Sequence, residues 1–245
     1  MIAYPEPVRR IQPPQSEYVF PEITNQMSDL VAAGADLRPG TVLEAYRHGL
    51  FPMKYGEPPE LAWWSPEPRG VLELADLKIS RSLRQSIKQH EIRVNTCFSE
   101  VIKACAEPRR DGHWIDRETL NAYLLLNHLG WAHSVEAWRD GRLVGGLYGV
   151  AIGGLFAGES MFHRERDASK VALAGLVELL SDQYAEERLI DVQWRTDHLA
   201  SLGVSAIPRT EYLARLPDLF QLPLPDFDHF KNRERRRSAN NLPPV

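Results

Sequence analysis

Apolar and polar positions alternate along the chain with two different periods. From Thr41 onward Val42, Leu43, Ala45, Tyr46 and Leu50 recur at helical spacing, and Gly49 and Pro52 end the run, which predicts a short helix. A proline-laden loop, Gly56-Glu57-Pro58-Pro59, leads into Trp63-Trp64-Ser65-Pro66. Further helices are predicted from Ser80 to Gln89, Phe98 to Ala106 and Arg117 to Leu129. The period then changes. His133 to Trp138, Leu143 to Ile152 and Leu155 to Ala157 read as an antiparallel meander. Asp140-Gly141 and Gly153-Gly154 are hairpin-turn dipeptides, and Val144, Tyr148, Val150 and Ile152 favour strands. Leu173, Leu176, Val177, Leu180 and Tyr184 return to helical spacing. Leu189 to Trp194 is predicted as another strand, and His198 to Leu202 opens a last helix.

A meander, a long helix, a strand and a helix, in that order, resemble the core of the acetyltransferase-like (GNAT-type) N-acyltransferase fold, so an α+β architecture is expected. Residues 1–21 are rich in proline and read as an extended arm. A small N-terminal domain over 22–75 and an acyltransferase-fold catalytic domain over 76–225 follow. The basic tail 226–245, with Lys231, Arg233, Arg235, Arg236 and Arg237, is expected to be disordered.

Composition narrows the setting. Of 245 residues 43% are hydrophobic and 25% charged, which suits a soluble protein with a substantial core. The start of the chain lacks the apolar stretch of a signal peptide, and no run approaches the roughly 18 apolar residues of a membrane span, so a cytoplasmic location is expected. Two cysteines, Cys97 and Cys105, are too few for a disulfide framework and read as small buried thiols. The net charge of −4 does not advertise a nucleic-acid partner, so any basic surface must be local.

Candidate chemistry is sparse. On Leu189-Ile190-Asp191-Val192-Gln193-Trp194 the alternation of a strand points Asp191 and Gln193 to one face. A carboxylate and an amide side by side are either turned to water or used, because leaving them dry and unpaired is costly. Glu159 follows the meander, and strand ends commonly carry function. Asp167 reads as an N-cap. Trp63, Trp64 and Trp114 could stack under unpaired bases or anchor a core. Arg81, Arg84 and Lys88 share one helical face, suited to phosphates or simply solvated. The eight histidines show no metal-ligand spacing, so no metal is expected. Nor is a coenzyme A loop recognisable. Where such a loop would precede the long helix, the chain has His163-Arg164-Glu165-Arg166-Asp167-Ala168, with no glycine and two acids.

Several stretches taken together resemble the leucyl/phenylalanyl-tRNA–protein transferase family. They are Tyr46-Arg47-His48-Gly49-Leu50-Phe51-Pro52, Trp63-Trp64-Ser65-Pro66-Glu67-Pro68-Arg69, His113-Trp114-Ile115, and Ala132-His133-Ser134-Val135-Glu136-Ala137-Trp138. Leu143-Val144-Gly145-Gly146-Leu147-Tyr148-Gly149-Val150, Gly158-Glu159-Ser160-Met161-Phe162, Ala168-Ser169-Lys170, Ile190-Asp191-Val192-Gln193 and Ser201-Leu202-Gly203 complete the set.

The resemblance implies an N-end rule aminoacyltransferase that needs no cofactor. It would carry Leu, Phe and less readily Met from aminoacyl-tRNA to acceptor proteins beginning with Arg or Lys, marking them for degradation. It assigns catalytic roles to Glu159, Asp191 and Gln193, with Glu159 helping to hold the cationic acceptor residue. An apolar pocket for the aminoacyl side chain maps to Leu147, Met161, Leu173, Leu176, Leu180 and Ile190, and aromatic contacts to the terminal adenosine map to Trp63, Trp64, Trp114 and Phe156. Contacts to the tRNA acceptor stem are expected at Arg81, Arg84 and Lys88, and a monomer without membrane association is expected. The chain departs from the family pattern at His163, at Met53, and at Leu147, Leu176 and Leu180, where Met and Phe are common. Two other readings stay open: an N-acyltransferase using a small thioester donor, and an RNA-binding module without activity.

Overall fold

The computed structural model describes residues 10–24, 26–107 and 114–228. The basic tail from Lys231 to Arg237 and His113 lie outside the described residues. Residues 10–21 form neither helix nor strand and are pinned to the body. The backbone N–H of Ile11 donates to Leu129 O (3.0 Å), the Trp131 indole donates to Ile11 O (2.8 Å), and the Arg10 guanidinium stacks on the Trp131 ring at 3.8 Å.

A three-stranded antiparallel sheet forms from β1 (Leu30–Ala33), β2 (Phe51–Tyr55) and β3 (Glu60–Trp64), in the order β1-β3-β2. The proline-laden loop is thus the tip of the β2–β3 hairpin. Helix α1 (Pro39–Arg47) starts on a proline, which lacks the N–H that a first helical position leaves unpaired anyway, and buries Val42, Leu43, Ala45 and Tyr46. The strand β4 (Arg69–Glu73) then leaves this unit and pairs in the larger sheet. The chain therefore changes sheet between Trp64 and Arg69, ahead of the boundary expected near residue 75.

Helix α2 (Arg81–Lys88) is capped by Ser80, whose hydroxyl accepts from Leu83 N. After β5 (Glu91–Val94) come α3 (Phe98–Cys105) and α4 (Arg117–His128), the latter capped by Asp116 accepting from Thr119 N. The meander is β6 (Ala132–Arg139), β7 (Arg142–Ile152) and β8 (Leu155–His163). The last strand runs six residues beyond the predicted Ala157, because its partly exposed second half lacks an apolar signature. Helix α5 (Ala168–Leu180) leads to β9 (Leu189–Gln193), α6 (Asp197–Ser201), β10 (Ser205–Ile207) and α7 (Arg209–Gln221). The larger sheet has the order β10-β4-β9-β8-β7-β6-β5, and within it β8 and β9 are parallel. The meander, long helix and further strand follow in the order expected from the sequence, and the structure adds that this strand pairs parallel to β8.

Two apolar clusters sandwich the large sheet. Tyr148, Val150, Ile152, Ala157 and Phe162 pack with α1, α3 and α4 on one face, while Leu147, Ala151, Phe156 and Ile190 pack with α5 and Leu83 of α2 on the other. Arg209, fully buried on α7, donates to the carbonyls of Thr24, Met27, Ser28 and Ser65, and so fastens the N-terminal unit to the last helix. Asp167 occupies the N-cap position of α5, as expected. It sits at φ +62° with no capping bond, and its carboxylate instead accepts from Lys170 Nζ (3.0 Å) and Ser86 Oγ (3.2 Å). Cys105 is buried as expected. Cys97 is only half-buried, and burial beside Glu136 pushes its thiol up to about 12.

Candidate active site

The parallel pairing of β8 with β9 covers Leu155↔Leu189, Phe156↔Ile190 and Ala157↔Asp191 and goes no further, although β8 runs on to His163. Where the pairing stops, both strands are bulged. Across β7, Tyr148 pairs with Ser160 but Gly149 pairs with Gly158, so Glu159 is an extra residue. Across β4, Val71 pairs with Asp191 but Gly70 with Gln193, so Val192 is extra. Bulges re-aim side chains, and here glycines make room for them. A Cβ on Gly149 would lie 2.3 Å from Ala157 O, and one on Gly70 would lie 2.8 Å from Arg195 N. Gly158, Glu159, Ser160 and Met161 are all partly exposed in the middle of an otherwise buried sheet, which marks the opening.

Glu159 turns toward α1 and α4. Tyr46 Oη lies 2.5 Å from its Oε1 and Tyr123 Oη 2.7 Å from its Oε2. Burial pushes the Glu159 carboxyl up to about 7, assisted by the Asp191 charge and opposed by the two tyrosines and Arg69. It lies deep in the protein yet keeps a partly exposed edge.

Asp191 is fully buried and saturated. Oδ1 accepts from Arg69 Nε (2.8 Å) and from the backbone N–H of Gln193 (2.9 Å); Oδ2 accepts from Arg69 Nη2 (2.6 Å) and Tyr212 Oη (3.0 Å). Arg69 is equally buried, stacks over the Tyr212 ring at 4.4 Å, and donates its remaining arm to Gly49 O. Burial alone would lower its pKa, but the Asp191 charge beside it raises it instead. Gln193 does not share the Asp191 face by simple alternation, because the Val192 bulge intervenes. Its backbone stands at φ +59°, held by the bond to Asp191, and its buried Nε2 has no partner among the described residues.

The expected pocket residues come together. Leu147, Leu173, Leu176, Leu180 and Ile190 lie in one buried cluster with the rest of α5, and half-buried Met161 packs at its edge. The aromatics divide. Trp63 is 1% exposed and spends its indole N–H on Gly34 O, and Phe156 is sealed under α5, so neither offers a face to a base here. Trp64 and Trp114 are half-buried. Arg81, Arg84 and Lys88 are exposed, and among the described residues none forms an ion pair. No cluster of three or more His, Cys, Asp or Glu suited to a metal occurs among the described residues, and none of their helices is long and apolar enough to cross a membrane.

Sequence reasoning missed Arg69, Tyr212, Tyr46, Tyr123 and Trp194. Trp194 directly follows Gln193 and meets Trp64 edge-on at 6.1 Å. Arg69 and Tyr46 stood within the motif stretches but gave no local sign of pairing. Their partners lie 122 and 113 residues away.

The parted parallel strands, their bulges and the helix-covered meander define an α+β protein. The chain belongs to the leucyl/phenylalanyl-tRNA protein transferase family, whose main domain matches residues 71–217 and whose N-terminal domain matches residues 35–67. The leucyl/phenylalanyl-tRNA--protein transferase of Chromobacterium violaceum is 48% identical over 218 residues, covering 86% of this chain and 92% of the relative. That of Aromatoleum aromaticum is 51% identical over 204 residues, covering 80% and 85%. Among solved structures, a GCN5-related N-acetyltransferase from Kribbella flavida superposes with a TM-score of 0.37 at 13% identity, over 69% of this chain and 61% of that one.

Proposed function

We propose that this chain transfers Leu, Phe and less readily Met from aminoacyl-tRNA to the N-terminal Arg or Lys of acceptor proteins, tagging them for N-end rule degradation in the cytoplasm. The observation that carries this reading is Gln193: its side-chain Nε2 is buried and without a partner among the described residues, and its backbone N–H is held by Asp191 where two strands part beside an apolar cluster. An unsatisfied buried donor costs about 1–3 kcal/mol, which a bound carbonyl oxygen would recover.

An aminoacyl ester is already activated, so the protein has to align an amine with a carbonyl, and alignment alone can supply about 7–11 kcal/mol. The attacking α-amine, with an ordinary pKa of about 7.7–8.0, needs only a modest proton acceptor. Asp191, with every acceptor position filled, serves by holding Gln193 and Arg69 in place. Leu147, Met161, Leu173, Leu176, Leu180 and Ile190 would receive the aminoacyl side chain. Trp64 and Trp114, both half-buried, would contact the terminal adenosine, with Trp63 supporting the strand from inside. Arg81, Arg84 and Lys88 would meet the acceptor stem, with the chain working as a monomer.

A coenzyme A thioester donor is disfavoured by a specific feature. The N-terminus of α5, where a pyrophosphate would be held, has the Asp167 carboxylate beside it. The test is incubation with leucyl-tRNA and an Arg-starting peptide, read by mass spectrometry. Addition of one leucyl residue supports the proposal. An unmodified peptide with tRNA still bound would favour an RNA-binding module, and acylation from a coenzyme A thioester would favour the other reading.

A further inference from the structure

Three close oxygen pairs surround Glu159: Tyr46 Oη to Oε1 at 2.5 Å, Tyr123 Oη to Oε2 at 2.7 Å, and Tyr46 Oη to Tyr123 Oη at 2.7 Å. Each contact needs a hydrogen, and the two phenols supply two. With Glu159 ionised, one contact is left as facing lone pairs. With Glu159 protonated, its own hydrogen completes the set, and the bonds close into a ring from Oε1 through Tyr46 and Tyr123 back to Oε2.

We propose that Tyr46 and Tyr123 are positioning residues that close this ring and keep Glu159 protonated in the resting enzyme. Glu159 then acts at the transfer site as a neutral proton donor and acceptor, and not as an anion that receives the acceptor's cationic side chain. The second half of this statement rests on the aminoacyl-transfer reading; the ring itself does not.

The surroundings agree with the count. Tyr46 is 1% and Tyr123 0% exposed, so Glu159, with its partly exposed edge, is the member of the ring through which a proton can pass to a bound group. The groups facing it are Tyr46 from α1, Tyr123 from α4, Tyr148 from β7, Asp191 from β9 and Arg69 from β4. Burial and Asp191 favour the neutral acid, the two phenols acting as simple donors and Arg69 oppose it, and the carboxyl is pushed up to about 7. In the transfer itself the amine lone pair forms the C–N bond, and the C–O bond breaks with its pair on the ribose oxygen. One proton passes from Glu159 to that oxygen, and one from the attacking nitrogen restores Glu159. Both tyrosines keep theirs.

The ring makes a prediction opposite to that of two independent donors. A phenol that merely donates to a carboxylate lowers the carboxyl pKa, so its removal would raise it. In the ring, removing either phenol deletes a bond that only the neutral form completes. The experiment is a titration by NMR of enzyme carrying 13C-labelled glutamate carboxyls, with Glu159→Gln assigning the resonance and no tRNA present. In Tyr46→Phe and in Tyr123→Phe, Glu159 should ionise at lower pH, its ionisation constant increased by about two- to tenfold, the equivalent of one lost hydrogen bond. Tyr148→Phe should leave the titration where it was, because the Tyr148 hydroxyl has no hydrogen-bond partner among the described residues. An unchanged or upward shift in both Tyr46→Phe and Tyr123→Phe overturns the ring, whatever the enzyme transfers.

Activity tests the second half. Glu159→Gln preserves the neutral shape and should leave the KM for an Arg-starting peptide within about twofold while lowering kcat at least about tenfold, a proton-transfer effect. In Tyr46→Phe the high-pH limb of kcat should move to lower pH. A raised peptide KM with unchanged kcat in Glu159→Gln would instead show Glu159 holding the acceptor as an anion.

Discussion

At the residue scale, the buried Arg69–Asp191 pair sets the terms. Removing one member of such a pair strands a charge and typically costs about 3–5 kcal/mol, whereas replacing both with apolar groups is often neutral or better. Asp191→Ala should therefore unfold at markedly lower denaturant, and Arg69→Met/Asp191→Leu should recover much of that stability while remaining inactive in aminoacyl transfer. Urea melts alongside the peptide-transfer assay check both, and a double variant that regained activity would remove the pair from the mechanism. Glu159 gives a pH signature of a different kind. Its folded carboxyl at about 7 lies above the ordinary 4.5, so the native state holds the proton longer than the unfolded chain. Stability is accordingly lost as pH rises from about 4.5 through about 7, by a few kcal/mol at most, since each decade in the ionisation constant is worth about 1.4 kcal/mol. Glu159→Gln should melt close to the parent at pH 4 and progressively above it by pH 8. Parallel melting curves across that range would show that the carboxyl is not perturbed in the fold.

At the element scale, the bulges opposite Gly149 and Gly70 are what turn two sheet strands into a site. Gly149→Ala would drive a Cβ to 2.3 Å from Ala157 O and 2.5 Å from the Phe156 ring, so the backbone must yield. A loss of roughly 1–3 kcal/mol is expected, in the range of overpacked interiors, with transfer activity falling further as Glu159 is re-aimed. Gly158→Ala is the control for packing, because its Cβ would meet Asp191 O at an ordinary 3.5 Å. Calorimetry should find that variant near the parent and Gly149→Ala well below it. These elements were unequally legible in the sequence. Helices α2, α3 and α4 announce themselves through a 3.6-residue period and caps such as Ser80 and Asp116, which are local properties. The β6–β8 meander is visible through Asp140-Gly141 and Gly153-Gly154. Strands β1, β4, β5 and β10 are three to five residues long and pair with distant segments, so no local period betrays them. Helix α7 carries Pro217 in its interior, which interrupts the helical signal. The site divides the same way: Asp191, Gln193 and Glu159 stand in readable motifs, whereas Arg69, Tyr46, Tyr123 and Tyr212 become site residues only when the chain folds them together.

At the scale of the whole molecule, a chain of net charge −4 needs a local basic surface to hold a polyanion. Helix α2 is suited to that work. Leu83 anchors it in the apolar cluster under α5, and Ser86 Oγ reaches Asp167 at the start of α5, directly after the end of β8. Arg81, Arg84 and Lys88 are therefore carried on the same rigid body as the opening between β8 and β9, with their charges facing solvent. Phosphate contacts from this face would be indifferent to base sequence, so tRNAs of different sequence charged with one amino acid should bind comparably. Each contact released on substitution should reduce the slope of log affinity against log salt by about 0.7–0.9. The triple variant Arg81→Ala/Arg84→Ala/Lys88→Ala should then lose about 2–3 in slope. It should bind every tRNA more weakly and keep near-normal turnover once tRNA is saturating, because the three exposed side chains make no hydrogen bond with Glu159, Asp191 or Gln193 among the described residues. Filter binding across a salt series, paired with transfer rates at high tRNA, separates the two effects. A variant whose slope matches the parent's would show that α2 presents only a solvated face and that tRNA is held elsewhere on the molecule.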